Sequence, residues 1–322
     1  MKVGKLDNET LERLIINKIR RRRPEVKKSA AVGEDCAVID FGEYNCVIST
    51  DPITGAVSDI GRLAVNVSCN DIASNGVEPL GIMLTVLLPP YVTEEEMSAI
   101  MADAADEADK LNIEILGGHT EITPVVTVPV ISATAVGRQL SASAVDRNIE
   151  PGDLFVVTKA AGIEGTGIIV SDYGDELDGV LTQDEQEFAK ELLKSTSVVK
   201  EGVIAGELGV GPMHDITEGG VLGALWELCR ISDVGADIDT EKIPLYDVTK
   251  KVCEYYGLDP YRLISSGSML IAVQPDRFEM LMERFSSAGV PAACIGKAVE
   301  KSQGIRIAPP SADELFKVIH RK

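Results

Sequence analysis

The 322-residue sequence has no apolar run near the roughly 18 residues that a membrane-crossing helix needs. Its best run, Gly81 to Leu88, is only strand length. A signal-peptide pattern is missing too, because the first apolar residues are spaced helically and interrupted by charge. A soluble, cytoplasmic protein is expected. The six cysteines (Cys36, Cys46, Cys69, Cys229, Cys253 and Cys294) are scattered, without a CxxC pair or a Cys/His cluster. They read as reduced, mostly buried thiols, and a zinc site is disfavoured. Positive charge is scarce: 31 Lys and Arg stand against 51 Asp and Glu, a formal net charge of −20. Such a surface repels phosphate backbones and anionic membranes, which argues against a nucleic-acid or membrane partner. One small anion held through a divalent cation stays open. The motifs GxxxxGK[ST] and GxGxxG are absent, which disfavours P-loop and Rossmann phosphate sites. No repeat of solenoid period is present.

What is present is a globular composition, 45% hydrophobic and 25% charged, on a length that suits two domains. A helix is expected from Asn8, which can cap it, to Arg23, with Leu11, Leu14, Ile15 and Ile19 as its apolar stripe. Arg20–Arg23 then read as a solvated helix end before Pro24, or as an anion contact. Strands follow at Cys36–Asp40 and Asn45–Thr50. A helix is expected over Asp59–Asn75, burying Ile60, Leu63, Ala64, Val67 and Ile72, and a strand over Pro79–Leu88. Thr93 with Glu96 forms a capping box that opens a helix to about Leu111. Short strand Glu114–Leu116 runs into Gly117-Gly118, and Val125–Val136 is rich in β-formers. The pattern breaks between Arg138 and Asp153, which divides the chain at 1–146 and 147–322. The second half predicts strands at Leu154–Lys159 and Ser268–Val273. Its helices are expected near Ile163–Ser171, Gln183–Leu193 and Val199–Leu208, and after Gly219. Both halves mix helix with β-branched strands, so the fold class is α+β.

Carboxylates recur beside small residues at the ends of these elements. They occur in Gly33-Glu34-Asp35, in Ser49-Thr50-Asp51-Pro52, in Asn70-Asp71, in Gly117-Gly118-His119-Thr120-Glu121, and in His214-Asp215-Ile216-Thr217-Glu218-Gly219-Gly220. Each alone is more often a turn or a cap. Several aspartates converging without Cys or His partners would suit Mg²⁺ with phosphate oxygens. The first N–H groups of a helix after Gly219-Gly220 could face an anion.

Taken together and in order, GEDCAVID, STDPITG, IGRLAVNVSCNDIASNGVEPLGIMLTVLLP, LGGHTEIT and MHDITEGGVLGALWE resemble the AIR synthase (PurM-like) superfamily, over about Gly33 to Val299. The run Asp59–Leu88 and the overall length resemble most its HypE-like branch, the hydrogenase maturation carbamoyl dehydratases. The resemblance implies a two-domain fold. In it, strands of an N-terminal domain (1–146) pair across a homodimer into a β-barrel, beside a C-terminal α+β domain (147–322). It implies ATP and Mg²⁺ in the cleft between them. Asp35, Asp51 and Asp71 would hold metal, while Asn70, Thr120, Asp215, Thr217, Gly219 and Gly220 would hold the nucleotide. It also implies phosphoryl transfer from ATP to an amide or carbonyl oxygen of an acceptor, with a maturation-factor protein as a possible partner.

Two departures stand out. HypE proteins end in a tail whose terminal cysteine carries the carbamoyl group, whereas this sequence ends Val318-Ile319-His320-Arg321-Lys322 and its last cysteine is Cys294. His119 stands where HypE-type and kinase-type members carry Asp, as in selenophosphate synthetases. It could touch phosphate or substrate, act as a catalytic acid or base, or be structural. Cys36 should point away from Asp35 by strand alternation. Lys27 or Lys28 could cover phosphates or stay in solvent. His214 could reach the site, although neighbouring side chains diverge. Three readings follow: an ATP- and Mg²⁺-dependent enzyme of HypE type, a non-catalytic nucleotide-binding scaffold dimer, and a small-molecule kinase like thiamine-monophosphate kinase.

Overall fold

Two sheets organise the chain, and the burial of their strands separates them. The structure, a computed structural model, describes residue 6 and residues 8–54, 59–143, 147–309 and 312–319. Residue 55 of the STDPITG stretch, the division expected at 146/147 and the tail residues 320–322 lie wholly or partly outside these ranges. The first sheet comprises β1 (Val26–Lys28), β2 (Ala37–Asp40), β3 (Tyr44–Ile53), β4 (Pro79–Leu88), β5 (Glu114–Ile122) and β6 (Val130–Leu140), in the order β1-β2-β3-β6-β4-β5. Neighbours are antiparallel except β4 and β5, which run parallel through a helical crossover, α3 (Glu94–Leu111). Strands β3 and β6 alternate buried with half-exposed residues. Helix α2 (Ile60–Ser74) covers the buried face, where Val47, Ile82, Ile131 and Ala133 meet Ile60, Ala64 and Ile72. The opposite face carries Leu80, Met83 and Leu116 uncovered.

The second sheet is antiparallel throughout: β7 (Leu154–Thr158), β8 (Met213–Ile216), β9 (Gly235–Ile238), β10 (Ser268–Val273) and β11 (Ala292–Val299), in the order β8-β10-β7-β11-β9. Helices cover both faces. α7 (Gly220–Ile231) packs Val221 and Leu225 against Phe155, Val157 and Leu270. On the other side α6 (Val199–Glu207) and α9 (Phe278–Ser287) bring Ile204 and Phe285 to Val156, Met269 and Ile271. Hence β10 is buried along its whole length and reads as a continuous apolar run rather than an alternation. Helices α4 (Ile163–Tyr173), α5 (Gln183–Leu192) and α8 (Asp247–Tyr256) form a third apolar cluster.

Several expectations hold closely. Helix α2, strand β4 and the helix opened by the Thr93–Glu96 capping box lie where expected; the Glu96 N–H donates to Thr93 Oγ1 at 3.1 Å and the Thr93 N–H to Glu96 at 2.8 Å. Other bounds differ. The N-terminal helix α1 is Asn8–Leu14, followed by a single 3-10 turn at Ile16–Lys18, so Arg20–Arg23 lie outside any helix. Its stripe is only partly covered: Leu11 and Leu14 are half-buried while Ile15 and Ile19 are exposed, and a short helix with little tertiary burial does not propagate. Strand β3 runs on through Asp51, and β5 runs on through Gly117, Gly118, His119 and Thr120. Both gain ladder bonds from a neighbouring strand that local turn signals do not reveal. Sheet pairing begins at Val130 rather than Val125 in β6. All six cysteines are free; Cys36, Cys69, Cys229 and Cys253 are buried.

The two sheet units meet at α2. Glycines Gly202 and Gly206 of α6, one helical turn apart, let its backbone lie directly on α2. A Cβ at Gly202 would collide with the Ala73 carbonyl oxygen, and one at Gly206 with that of Gly76. Asn70 locks the contact. Its Nδ2 donates to the Thr196 carbonyl oxygen (2.8 Å), and its Oδ1 accepts from the Val198 N–H (2.8 Å). This docking sets the last turn of α2 against β8.

Candidate functional site

Strand β3 places Ser49 and Asp51 on one face, two residues apart, toward α2. Helix α2 answers with Asp71 and Ser74, and β8 with Asp215. Asp71 and Asp215 are only 6% and 2% exposed. The Ser49 hydroxyl lies against the Asp71 carboxylate and 3.0 Å from the Asp35 carbonyl oxygen. It has one proton, and the carbonyl can only accept. A proton held on Asp71 therefore completes the chain Asp71 to Ser49 to Asp35 carbonyl. The field agrees. Burial, then the charges of Asp215, Asp51 and Asp35, pushes the Asp71 carboxyl well above the ordinary aspartate range.

Asp215 is anchored from one side. Its N–H donates to Ser74 Oγ (3.1 Å), whose hydroxyl lies 3.3 Å from Oδ1. Its Oδ2 is buried without a hydrogen-bond partner. Among the described residues, no lysine or arginine pairs with Asp51, Asp71 or Asp215. A buried carboxylate cluster without cations is costly unless a proton or a metal ion neutralises it. By chemistry, oxygens from Asp35, Asp51, Asp71 and Asp215 suit a hard divalent cation, and the orphaned Oδ2 supports that fit. Among the described residues, the group whose ligand atoms all lie within 4.8 Å of one another is Asp35, His214 and Asp215, without Asp51 and Asp71. Cys36 is no nucleophile here. Burial, reinforced by Asp71, Asp35 and Asp215, holds its thiol far above the ordinary cysteine value.

His214, beside Asp215 on β8, joins the cluster. Its Nδ1 lies 3.7 Å from Asp215 Oδ1 and 4.0 Å from Asp35 Oδ2, and its Nε2 is 3.2 Å from Glu227 Oε2 of α7. Burial alone would lower the imidazole pKa. The carboxylates of Asp215, Glu227 and Asp35 outweigh burial and hold it well above its ordinary value. The divergence expected of neighbouring side chains does not keep His214 away, because β8 is the edge strand of its sheet and no outer strand confines the ring. Glu227 falls two turns into α7, on the face of Gly220, a spacing the sequence does offer.

The remaining candidates are placed elsewhere. Asn70 is fully buried and both ends of its amide are engaged at the α2–α6 docking. The N–H groups of Gly219 and Gly220 themselves are also engaged. The Gly219 N–H donates to Asp313 Oδ2 (2.7 Å) and the Gly220 N–H to the Thr217 carbonyl (3.1 Å), with Thr217 half-buried. Asp313, 4% exposed, also accepts from the Ile264 and Leu315 N–H groups. Asp313 thus engages the N–H just before α7, and nothing local in the sequence marks it for that contact. His119 and Thr120 are exposed on β5, the sheet's edge, and His119 Nε2 is 3.4 Å from Glu121. Register carries Asp51 to Ala133, Leu84 and then Gly118. His119 therefore stands three strand spacings from the cluster, about 14 Å.

The AIR synthase related protein models match this sequence in both halves, the N-terminal domain at residues 33–139 and the C-terminal domain at 150–308. A protein of Methanocaldococcus jannaschii named as a hydrogenase expression/formation protein is 29% identical over 282 residues, covering 85% of this chain and 82% of its own. Carbamoyl dehydratase HypE of Rhodobacter capsulatus is 27% identical over 284 residues, 85% of this chain and 79% of its own. Among solved structures, the hydrogenase maturation protein HypE in complex with ATP shares the fold, with a TM-score of 0.70 at 22% identity over 92% of this chain and 88% of that one.

Proposed function

From a chain that belongs to the AIR synthase related family, we propose an ATP- and Mg²⁺-dependent enzyme that transfers a phosphoryl group to an amide or carbonyl oxygen of its acceptor. One observation carries the reading: Asp35, Asp51, Asp71 and Asp215 converge from both sheet units on one cleft, and Asp215 Oδ2 is left without a partner. Asp35, Asp51, Asp71 and Asp215 would hold the cation. When bound, it neutralises charge on the transferring phosphoryl group. The residues of the chain prepare that site. Ser49 fixes the rotamer of Asp71, Ser74 fixes Asp215, and Asn70 holds α2 in place. Asp71, held above the ordinary aspartate range, would give up a proton to hold the cation. His119 and Thr120 serve the acceptor side from β5 of a second copy. The uncovered face of Leu80, Met83 and Leu116 and the open edge of β5 are what such a homodimer would cover. The naming of the relatives favours hydrogenase or other metallocentre maturation as the setting, with a maturation factor as partner.

The test is calorimetric titration with a non-hydrolysable ATP analogue, with and without Mg²⁺. Binding should require Mg²⁺ and weaken at least about 100-fold in Asp51→Asn, with thermal unfolding near that of the parent. Equal affinity in the variant would overturn the assignment. Turnover assays then separate phosphate release, expected here, from a stable phosphorylated product, the outcome for a small-molecule kinase.

A further inference from the structure

The cluster contains a donor that a magnesium site has no use for. Nε2 of His214 faces the Glu227 carboxylate at 3.2 Å, and a carboxylate only accepts. In the neutral form that binds a metal, the imidazole keeps its proton on Nε2 and aims the Nδ1 lone pair at the site, so a metal ion takes the place of the second proton that the surrounding carboxylates favour. Nδ1 is buried without a hydrogen-bond partner. It faces Asp215 Oδ1 and Asp35 Oδ2 at 3.7 and 4.0 Å, too far for hydrogen bonds. Asp215, 2% exposed, adds a second orphan acceptor in Oδ2. Two buried polar atoms without a partner, Nδ1 of His214 and Oδ2 of Asp215, thus lie beside the Asp35 carboxylate.

One atom from each of Asp35, His214 and Asp215 lies within 4.8 Å of the others. Donors about 2.0–2.2 Å from a shared ion are at most about 4.4 Å apart, so a small inward movement brings all three onto one ion. A carboxylate behind the outer nitrogen is the usual orienting partner of a metal-bound histidine. Mg²⁺ takes oxygen ligands, whereas imidazole suits first-row transition metals.

We propose that Asp35, His214 and Asp215, with Glu227 behind the histidine, form a mixed nitrogen–oxygen site that selects a first-row transition-metal dication of the Mn²⁺, Co²⁺ or Zn²⁺ class over Mg²⁺. This deepens the reading of the cleft as a divalent-cation nucleotide site and rests on it, since Asp35 and Asp215 are shared.

The experiment loads the full chain with Mn²⁺ in excess Mg²⁺ and records pulsed electron paramagnetic resonance, with competitive Zn²⁺ and Mg²⁺ titrations beside it. Bound Mn²⁺ should show a directly coordinated nitrogen. His214→Gln should lose that coupling and bind Zn²⁺ at least about tenfold more weakly, with Mg²⁺ affinity changed less than about threefold. Glu227→Gln should weaken Zn²⁺ binding about tenfold. His214→Asp keeps a ligand but makes it oxygen, and should invert the preference toward Mg²⁺. Mn²⁺ bound without nitrogen coupling, no Mn²⁺ binding, or equal losses for Zn²⁺ and Mg²⁺ in His214→Gln would overturn the site; an imidazolium in place of the metal gives the first of these. The two readings fail separately. Mg²⁺-dependent nucleotide binding without nitrogen coupling sinks this inference alone. Nitrogen coupling in a chain that binds no nucleotide sinks the nucleotide function and leaves the metal site.

Discussion

Two groups of buried aspartates sit in this molecule under opposite rules. Asp153 and Asp313 are provided for by the chain. Asp153 accepts from Arg147 Nη2 at 2.6 Å and from the Glu150 N–H at 2.9 Å, and Asp313 takes three backbone N–H groups. Asp71 and Asp215 are as deeply buried, yet face other carboxylates, two serines and a histidine. The first group closes the structure. The second leaves an electrostatic debt that only a proton or a cation can settle. Satisfaction, rather than burial, distinguishes the structural carboxylate from the one reserved for a ligand.

Removing members of each group should break the molecule in different ways. The largest effect on stability is expected from Asp313→Ala, which strands the buried Gly219 N–H and the half-buried Ile264 N–H. It should cost about 2–4 kcal/mol in chemical unfolding, with Asp71 and Asp215 untouched. Asp153→Ala, leaving Arg147 unpaired, should cost about 2–3 kcal/mol. Asp71→Asn should do the reverse. It relieves like-charge crowding and should stabilise the cation-free protein by on the order of 1 kcal/mol while abolishing stabilisation by Mg²⁺ in thermal scans. A loss of stability in Asp71→Asn without cation would put Asp71 among the structural aspartates.

A smaller effect concerns pH. The Asp71 carboxyl is raised in the folded state, so its contribution to stability is present below the unfolded aspartate value and lost as pH rises through the folded value. Under the proposed function a cation replaces that proton. The gain in melting temperature from Mg²⁺ should therefore increase with pH above the ordinary aspartate range, and the increase should disappear in Asp71→Asn. A gain independent of pH would mean that the cation does not displace this proton.

Much of the frame was legible in the sequence, for identifiable reasons. Helix α2 and strand β4 carry strong apolar patterns between turn residues, and the Thr93–Glu96 box is a local contract between two side chains. Asp35, Asp51, Asp71 and Asp215 stood out by type and setting. What escaped was decided at long range. The extension of β5 through two glycines depends on β4, and the shortening of α1 goes with the exposure of Ile15 and Ile19. Asp313 reaches the helix start at Gly219 across 94 residues, so no spacing rule announces it. His214 is legible only as a residue that could reach the site, because alternation describes Cβ directions, whereas a ring at an edge strand can swing its nitrogens toward a neighbour.

The glycine contact between α2 and α6 has a mechanical consequence. Where helices meet through side chains, rotamer changes absorb displacement. Here backbone rests on backbone at Gly202 and Gly206, with Asn70 bolting the joint. The span from Asp71 to Asp215 is thus a gauge length fixed by main-chain atoms. Repacking either apolar core should leave it unaltered, and a methyl group at Gly206 should change it. The metrology of the site resides in two residues that carry no functional group at all.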